Sequence, residues 1–236
     1  MGTRLIHSRR TTLALLALAL ASLICIGMLT VRTVYAEQLR FSFLPGNLLL
    51  AWIPLFFALA VYTLRARGSR RWFVLGGCSL VWFFFYPNAA YLITDLVHLK
   101  TRPPIPRWFD LVLMMSFAWT GLFLGYLSLY LMQEVVRNWL GKGVSWFFAI
   151  AMLALGALGV FLGRFWRWNS WEAITRPLGL MSDAAGRIMK MDLGEAGAFA
   201  AMFFAFSLLI YCTLYTLTHL HGHLEVKADR SPEASG

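Results

Sequence analysis

Four polar side chains interrupt an apolar stretch, FFFYPNAAYLITDLVHLK, at residues 83–100. Their spacing of three, four and three residues places them on one helical face: Asn88, Tyr91, Asp95 and His98. A carboxylate and an imidazole three residues apart on a helix can exchange protons or ligate a metal ion. The pattern therefore predicts Asp95 and His98 as catalytic groups, and Asn88 and Tyr91 as substrate-binding groups, with the metal unknown. The alternative interpretation is a turn at the membrane edge, where the acid and the imidazole are solvated.

A second polar segment, GRFWRWNSWEAITRP, covers residues 163–177. Arginine offers a planar fork that suits phosphate or carboxylate, and tryptophan faces stack on it. The segment therefore predicts an anion- or substrate-binding set: Arg164, Arg167, Asn169, Trp171 and Glu172. Two alternatives remain. The residues can form an aromatic belt with arginines that reach lipid phosphates, or the arginines can pair with Asp95 or Asp110 as a structural latch.

The composition indicates an integral membrane protein. Of 236 residues, 59% are apolar and 14% are charged, whereas soluble domains have about 45–50% and about 25%. The net charge of +10 comes from basic residues between apolar runs, which fits membrane topology and anionic lipid headgroups and argues against nucleic-acid binding. The cysteines Cys25, Cys78 and Cys212 lie inside apolar runs and suggest neither disulfides nor a zinc site.

The elements that must position these groups are membrane-spanning helices. A spanning helix needs roughly 20 mainly apolar residues, and six segments qualify: Thr12–Val31, Asn47–Leu64, Trp72–Leu92, Leu111–Met132, Ser145–Leu162 and Ala196–Leu217. Pro87 should kink or end the third helix. We expect an all-α domain over residues 1–224, with a short interfacial helix over Leu178–Met191 and a disordered cytoplasmic tail over 225–236.

Two short basic segments suggest the orientation. The N-terminus and the loop between the second and third helices contain only basic charges: Arg4, Arg9, Arg10, Arg65, Arg67, Arg70 and Arg71. Loops of this kind face the cytoplasm, so both termini are predicted to be cytoplasmic. The first apolar run is too long for a signal peptide and reads as a retained helix. Both polar segments follow odd-numbered helices and therefore lie on the same, outer side.

Other motifs indicate architecture rather than chemistry. The pairs Gly121/Gly125 and Gly159/Gly163 are GxxxG patterns, which let helices approach closely. The run His219, His221 and His223 does not converge on one helix face and reads as a solvated tail rather than a metal site. The sequence has no GxxxxGK[ST], GxSxG or HExxH motif.

The motifs YPNAAYLITDLVHL and GRFWRWNSWEAITRP resemble those of the bacterial membrane proteins grouped as domain of unknown function DUF1361. The resemblance covers approximately Asn47 to Leu217, and Ala90 stands where proline is frequent in that family. It implies a bacterial integral membrane protein and supplies no activity or cofactor. It also implies that the two polar segments form one site.

The sequence therefore predicts a protein of the bacterial cytoplasmic membrane whose outer-face site binds or processes an anionic lipid or envelope precursor. The rivals are a transporter or channel subunit and a structural partner subunit of a membrane complex. Membrane lipids are the expected partners; a protein partner, a homo-oligomer and any cofactor remain open.

Overall fold

Six long helices make up the part of the chain that the structure, a computed structural model, describes: residues 9–99, 105–165 and 193–229. Their bounds are α1 Arg9–Ala36, α2 Phe43–Ala66, α3 Trp72–Tyr91, α4 Arg107–Leu140, α5 Lys142–Phe165 and α6 Leu193–Asp229. All six contain a stretch that is long and apolar enough to cross a membrane. The predicted all-α fold with six spanning helices is confirmed.

The helix bounds differ from the predictions mainly at the ends. Helix α4 is the longest of the candidate spans, because it continues for two turns beyond the predicted end at Met132. Helix α6 continues to Asp229, into the first residues of the predicted tail, and the disorder of that tail stays a prediction. The predicted interfacial helix, Leu178–Met191, lies outside the described residues.

The third helix does not end at Pro87. It continues to Tyr91 and then tightens into a 3-10 helix, Leu92–His98, which we call the 3-10 segment. Of the two predicted outcomes at Pro87, a kink or an end, the end does not occur there. Proline removes one backbone hydrogen-bond donor, but α3 still packs against α2, α4 and α5. The Asn88 side chain donates to the Phe85 carbonyl at 3.3 Å.

Helix α4 lies at the centre of the bundle. It contacts α1, α2, α3 and α5, together with the 3-10 segment. Its connection to α5 is the single residue Gly141, whose φ of +89° favours glycine. This short link makes α4 and α5 antiparallel neighbours.

The glycines of α4 and α5 let α3 approach both helices closely. A Cβ at Gly121 would lie 2.7 Å from the Ala89 carbonyl oxygen, and one at Gly125 would lie 2.8 Å from the Ala89 Cβ. On α5, a Cβ at Gly159 would lie 2.7 Å from the Pro87 ring. The predicted close approach is thus present, and its partner is the end of α3.

The bundle has two ends. At one end, α1, the 3-10 segment and α5 terminate, and α2 and α4 begin. We call this the Asp95 end. The opposite one, where α2 and α4 end, is the Arg137 end. Asp110 and Arg137 lie near the two ends of α4, about 40 Å apart at about 1.5 Å per residue.

Candidate functional site

The Asp95 carboxylate lies inside the bundle, at the junction of the 3-10 segment with α2 and α5. The residue is 2% exposed. The Asn47 side-chain amide donates to Asp95 Oδ2 at 3.1 Å, and Arg164 Nη1 lies 3.9 Å from Oδ1. A buried carboxylate requires such partners, because burial without them is costly.

Asp95 lies on the face of the 3-10 segment that points into the bundle. Residues three apart in a 3-10 helix lie directly above one another, so Asp95 shares a face with Leu92. Leu92 is 1% exposed, and that face points into the bundle.

Arg164 places a cation beside this carboxylate, nearer to the protein surface. It lies in the last turn of α5, and α5 is positioned against α3 by the glycine contact with Pro87. The Arg164 side chain is 19% exposed, whereas that of Asp95 is 3% exposed. The negative charge is therefore inside, and the positive charge is nearer to the surface.

The structure brings together only part of the predicted site. Asp95 and Arg164, from the two predicted motifs, are neighbours. Asn88 and Tyr91 are both half-buried on α3, and Asn88 binds its own helix backbone. The His98 backbone ends the 3-10 segment, while its side chain is outside the description. The other predicted binding residues lie outside the described residues: Arg167, Asn169, Trp171 and Glu172.

Asn47 is a site residue that sequence reasoning missed. It lies in the first turns of α2, 48 positions from Asp95 in the chain. Its only sequence signal is that it is a polar side chain near the start of an apolar run. That signal is weak, because many spanning segments begin with a polar residue.

A second buried ion pair lies at the same end of the bundle. Arg32 of α1 donates to Asp110 of α4 through Nε and Nη2, and the residues are 3% exposed. The Arg32 guanidinium also lies 4.7 Å from the ring centroid of Phe41, a buried residue with φ of +63°. Asp110 therefore pairs with Arg32, whereas the latch alternative paired it with an arginine of the second polar segment.

A polar cluster of α4 and α6 lies toward the Arg137 end. Tyr211 is 2% exposed, and its hydroxyl donates to Oε1 of buried Gln133. Arg137 Nη1 lies 3.1 Å from Glu134 Oε1 and 3.5 Å from the Tyr215 hydroxyl. The two tyrosine contacts join α6 to α4 within the membrane-spanning region.

Metal ligation has no support from the residues whose placement is described. Among them, no group of three or more His, Cys, Asp or Glu side chains lies close enough to hold an ion. The cysteines Cys25, Cys78 and Cys212 are free thiols.

Comparison with known proteins decides the family. The family model described as "Protein of unknown function (DUF1361)" matches residues 47–223, more than half of the 236 residues. The chain belongs to the DUF1361 family. No significant match was found among curated proteins or among solved structures. The matched region of this DUF1361 protein includes Asn47, Asp95, Asp110 and Arg164, whereas Arg32 precedes it.

Proposed function

We propose that this multi-pass membrane protein recognises the anionic headgroup of a membrane lipid or envelope precursor at the Asp95 end. The observation that carries the proposal is the Asp95–Arg164 pair. Its carboxylate is buried and bound by Asn47, and its guanidinium is nearer to the boundary, 3.9 Å from Asp95 Oδ1. Both residues lie at the ends of candidate membrane spans, Trp72–Val97 and Lys142–Arg164, which is the level of lipid headgroups.

In this proposal Arg164 is the anion-binding residue and Asp95 is a positioning residue. A guanidinium has five N–H donors in a fixed plane and can bind a phosphate or carboxylate through two of them. The buried carboxylate attracts the guanidinium, and Asn47 holds the carboxylate in place by a hydrogen bond. The predicted acid–base role of Asp95 with His98, and the binding roles of Arg167, Asn169, Trp171 and Glu172, remain predictions.

Lipid retention by purified variants tests this function. Mass spectrometry of wild type in mild detergent should detect a co-purifying anionic lipid, and Arg164→Ala should lose it. Arg164→Lys should retain part of it, since the charge remains but the fork is lost. The matched control is Arg107→Ala, an exposed arginine at the start of α4, at the same end of the bundle. Equal lipid retention by folded wild type and Arg164→Ala would contradict the proposal.

The second candidate function is a structural latch, as in a partner subunit of a membrane complex. The observation that favours it is that Asp95 joins three elements of the bundle through Asn47 and Arg164. The test is the charge exchange Asp95→Arg/Arg164→Asp. The latch is supported instead if the exchange restores the stability and cellular phenotype that the single variants lose, and if lipid retention is the same in all variants.

We also propose that the protein resides in a bacterial cytoplasmic membrane with both termini in the cytoplasm. The support is the acid-free set of arginines in the α2–α3 loop, which favours a cytoplasmic position for the Arg137 end. Reporter fusions at each terminus test this orientation. Activity of a periplasm-specific reporter at either terminus would contradict it.

A further inference from the structure

A groove of about 500 Å³ lies between α1, α4 and α6. On α1 it is lined by small side chains at Ala14, Ala17 and Ala21, which recur at helical spacing and share one face. Rings from the other two helices form the remaining walls, among them Phe123 and Tyr211. The volume lies within the range of about 300–1,000 Å³ that is typical of small-molecule sites.

The length and position of this groove match one leaflet of a bilayer. Its lining on α4 extends from Trp119 to Tyr130, about 16 Å along the axis at about 1.5 Å per residue. A single leaflet contributes about half of the hydrocarbon thickness of about 30 Å. The groove runs from the middle of α4 toward the Arg137 end, where Tyr215 and Thr218 also line it.

A cation lies beside the end of the groove. The Arg137 side chain is 37% exposed and contacts the hydroxyl of Tyr215, a lining residue, at 3.5 Å. Two further loop arginines at this end, Arg67 and Arg70, are exposed. Positive charge at the membrane boundary attracts anionic phospholipid headgroups.

We propose that the groove binds one acyl chain of an anionic membrane phospholipid, whose phosphate lies beside Arg137. An unfilled apolar groove forfeits dispersion contacts, and hydrocarbon is the medium that surrounds these helices. A chain that enters from the leaflet at the Arg137 end fills the groove along its length. Its headgroup then lies at the level of Arg137. This site is separated from Arg164 by most of the length of the bundle, so it is independent of the proposed anion site.

Lipid counting by native mass spectrometry tests the groove. The protein is reconstituted with phosphatidylglycerol, transferred to mild detergent and compared with Ala17→Phe, which fills the groove. Ala17→Phe should lose one bound phosphatidylglycerol per chain. The matched control is Ala205→Phe, the same change at an exposed position of α6 that does not line the groove, and it should retain that lipid. Retention of the full number by Ala17→Phe would overturn the proposal.

Photo-crosslinking of the unsubstituted chain gives a second test that does not depend on the folding of a variant. Phosphatidylglycerol with a diazirine on its acyl chain should label Phe123, Leu127 and Leu214 in the groove several-fold more than Met202 and Leu209. The latter two are 76% and 68% exposed outside the groove. Labelling in proportion to exposure would overturn the proposal.

The headgroup part of the proposal has its own variant. Arg137→Gln should abolish the preference of the groove for labelled phosphatidylglycerol over phosphatidylcholine, while Arg164→Ala should leave it unchanged. An unchanged preference in Arg137→Gln would overturn the assignment of the phosphate to Arg137. Loss of the groove lipid in Arg164→Ala would overturn the independence of the two sites.

Discussion

Arg32 in α1 and Asp110 at the start of α4 form a buried two-point ion pair, with Nε 2.8 Å from Oδ1 and Nη2 3.3 Å from Oδ2. Within the described ranges, Nη1 of Arg32 has no hydrogen-bond partner. Helix α1 has few other buried side chains, since only 11% of its spanning window is buried. The pair therefore ties a loosely packed first helix to the central helix of the bundle.

Removal of one partner of this pair should destabilise the protein strongly. Arg32→Met leaves the Asp110 carboxylate buried without its cation, which should lower the free energy of unfolding by about 3–5 kcal/mol. The double variant Arg32→Met/Asp110→Leu should recover most of that loss, because no buried charge remains. The measurement is equilibrium unfolding in detergent, with Arg70→Met as the exposed control. Equal stability of Arg32→Met and the control would show that the ion pair does not stabilise the fold.

The Asn47–Asp95 hydrogen bond should contribute measurably to stability. Asn47→Ala removes a donor to a buried carboxylate and should lower the free energy of unfolding by about 1.5–3 kcal/mol. Thr94→Val is the control on the 3-10 segment, since the Thr94 hydroxyl donates only within its own turn, to the Tyr91 carbonyl at 2.7 Å. Unfolding of both variants under the same conditions compares them. A loss in Thr94→Val as large as that in Asn47→Ala would contradict a special role of this bond.

Close packing of α3 against α4 should make Gly121 sensitive to a single methyl group. Gly121→Ala places a Cβ 2.7 Å from the Ala89 carbonyl oxygen, and the resulting overpacking should cost about 1–3 kcal/mol. Gly76→Ala, within α3, is the matched control, because nothing lies within 4 Å of its Cβ. That substitution should be neutral or stabilise by up to about 1 kcal/mol. Thermal unfolding of the two variants in detergent should therefore shift in different directions, and a parallel shift would contradict this packing.

The Tyr211–Gln133 pair should behave as a coupled unit. Tyr211→Phe leaves the buried Gln133 amide without this partner and should cost about 1–3 kcal/mol. Tyr211→Phe/Gln133→Leu should be more stable than Tyr211→Phe alone. Tyr215→Phe is the control, because its hydroxyl contacts the partly exposed Arg137. A double-mutant cycle measures the coupling, and simple additivity would show that the two side chains act independently.

Local sequence was enough to predict the helices. The bilayer sets the required length of an apolar run, so the number and approximate positions of the six spans follow from hydropathy. The two polar motifs are separated by two helices, the fourth and the fifth. Because each helix crosses the bundle once, this even number predicted that both motifs lie at one end, where Asp95 and Arg164 are found. The bounds were less predictable, because α4 continues past the apolar part of its sequence to Leu140.

Tertiary structure alone decided the partners of each polar side chain. Asp95 pairs with Asn47 and Arg164 because it lies on the buried face of the 3-10 segment and because glycines on α4 and α5 admit α3 between them. Asp110 pairs with Arg32, 78 positions away, because α1 packs on α4. Hydropathy is a local property of a segment, whereas these pairings depend on the order and rotation of helices, which contacts between distant residues determine.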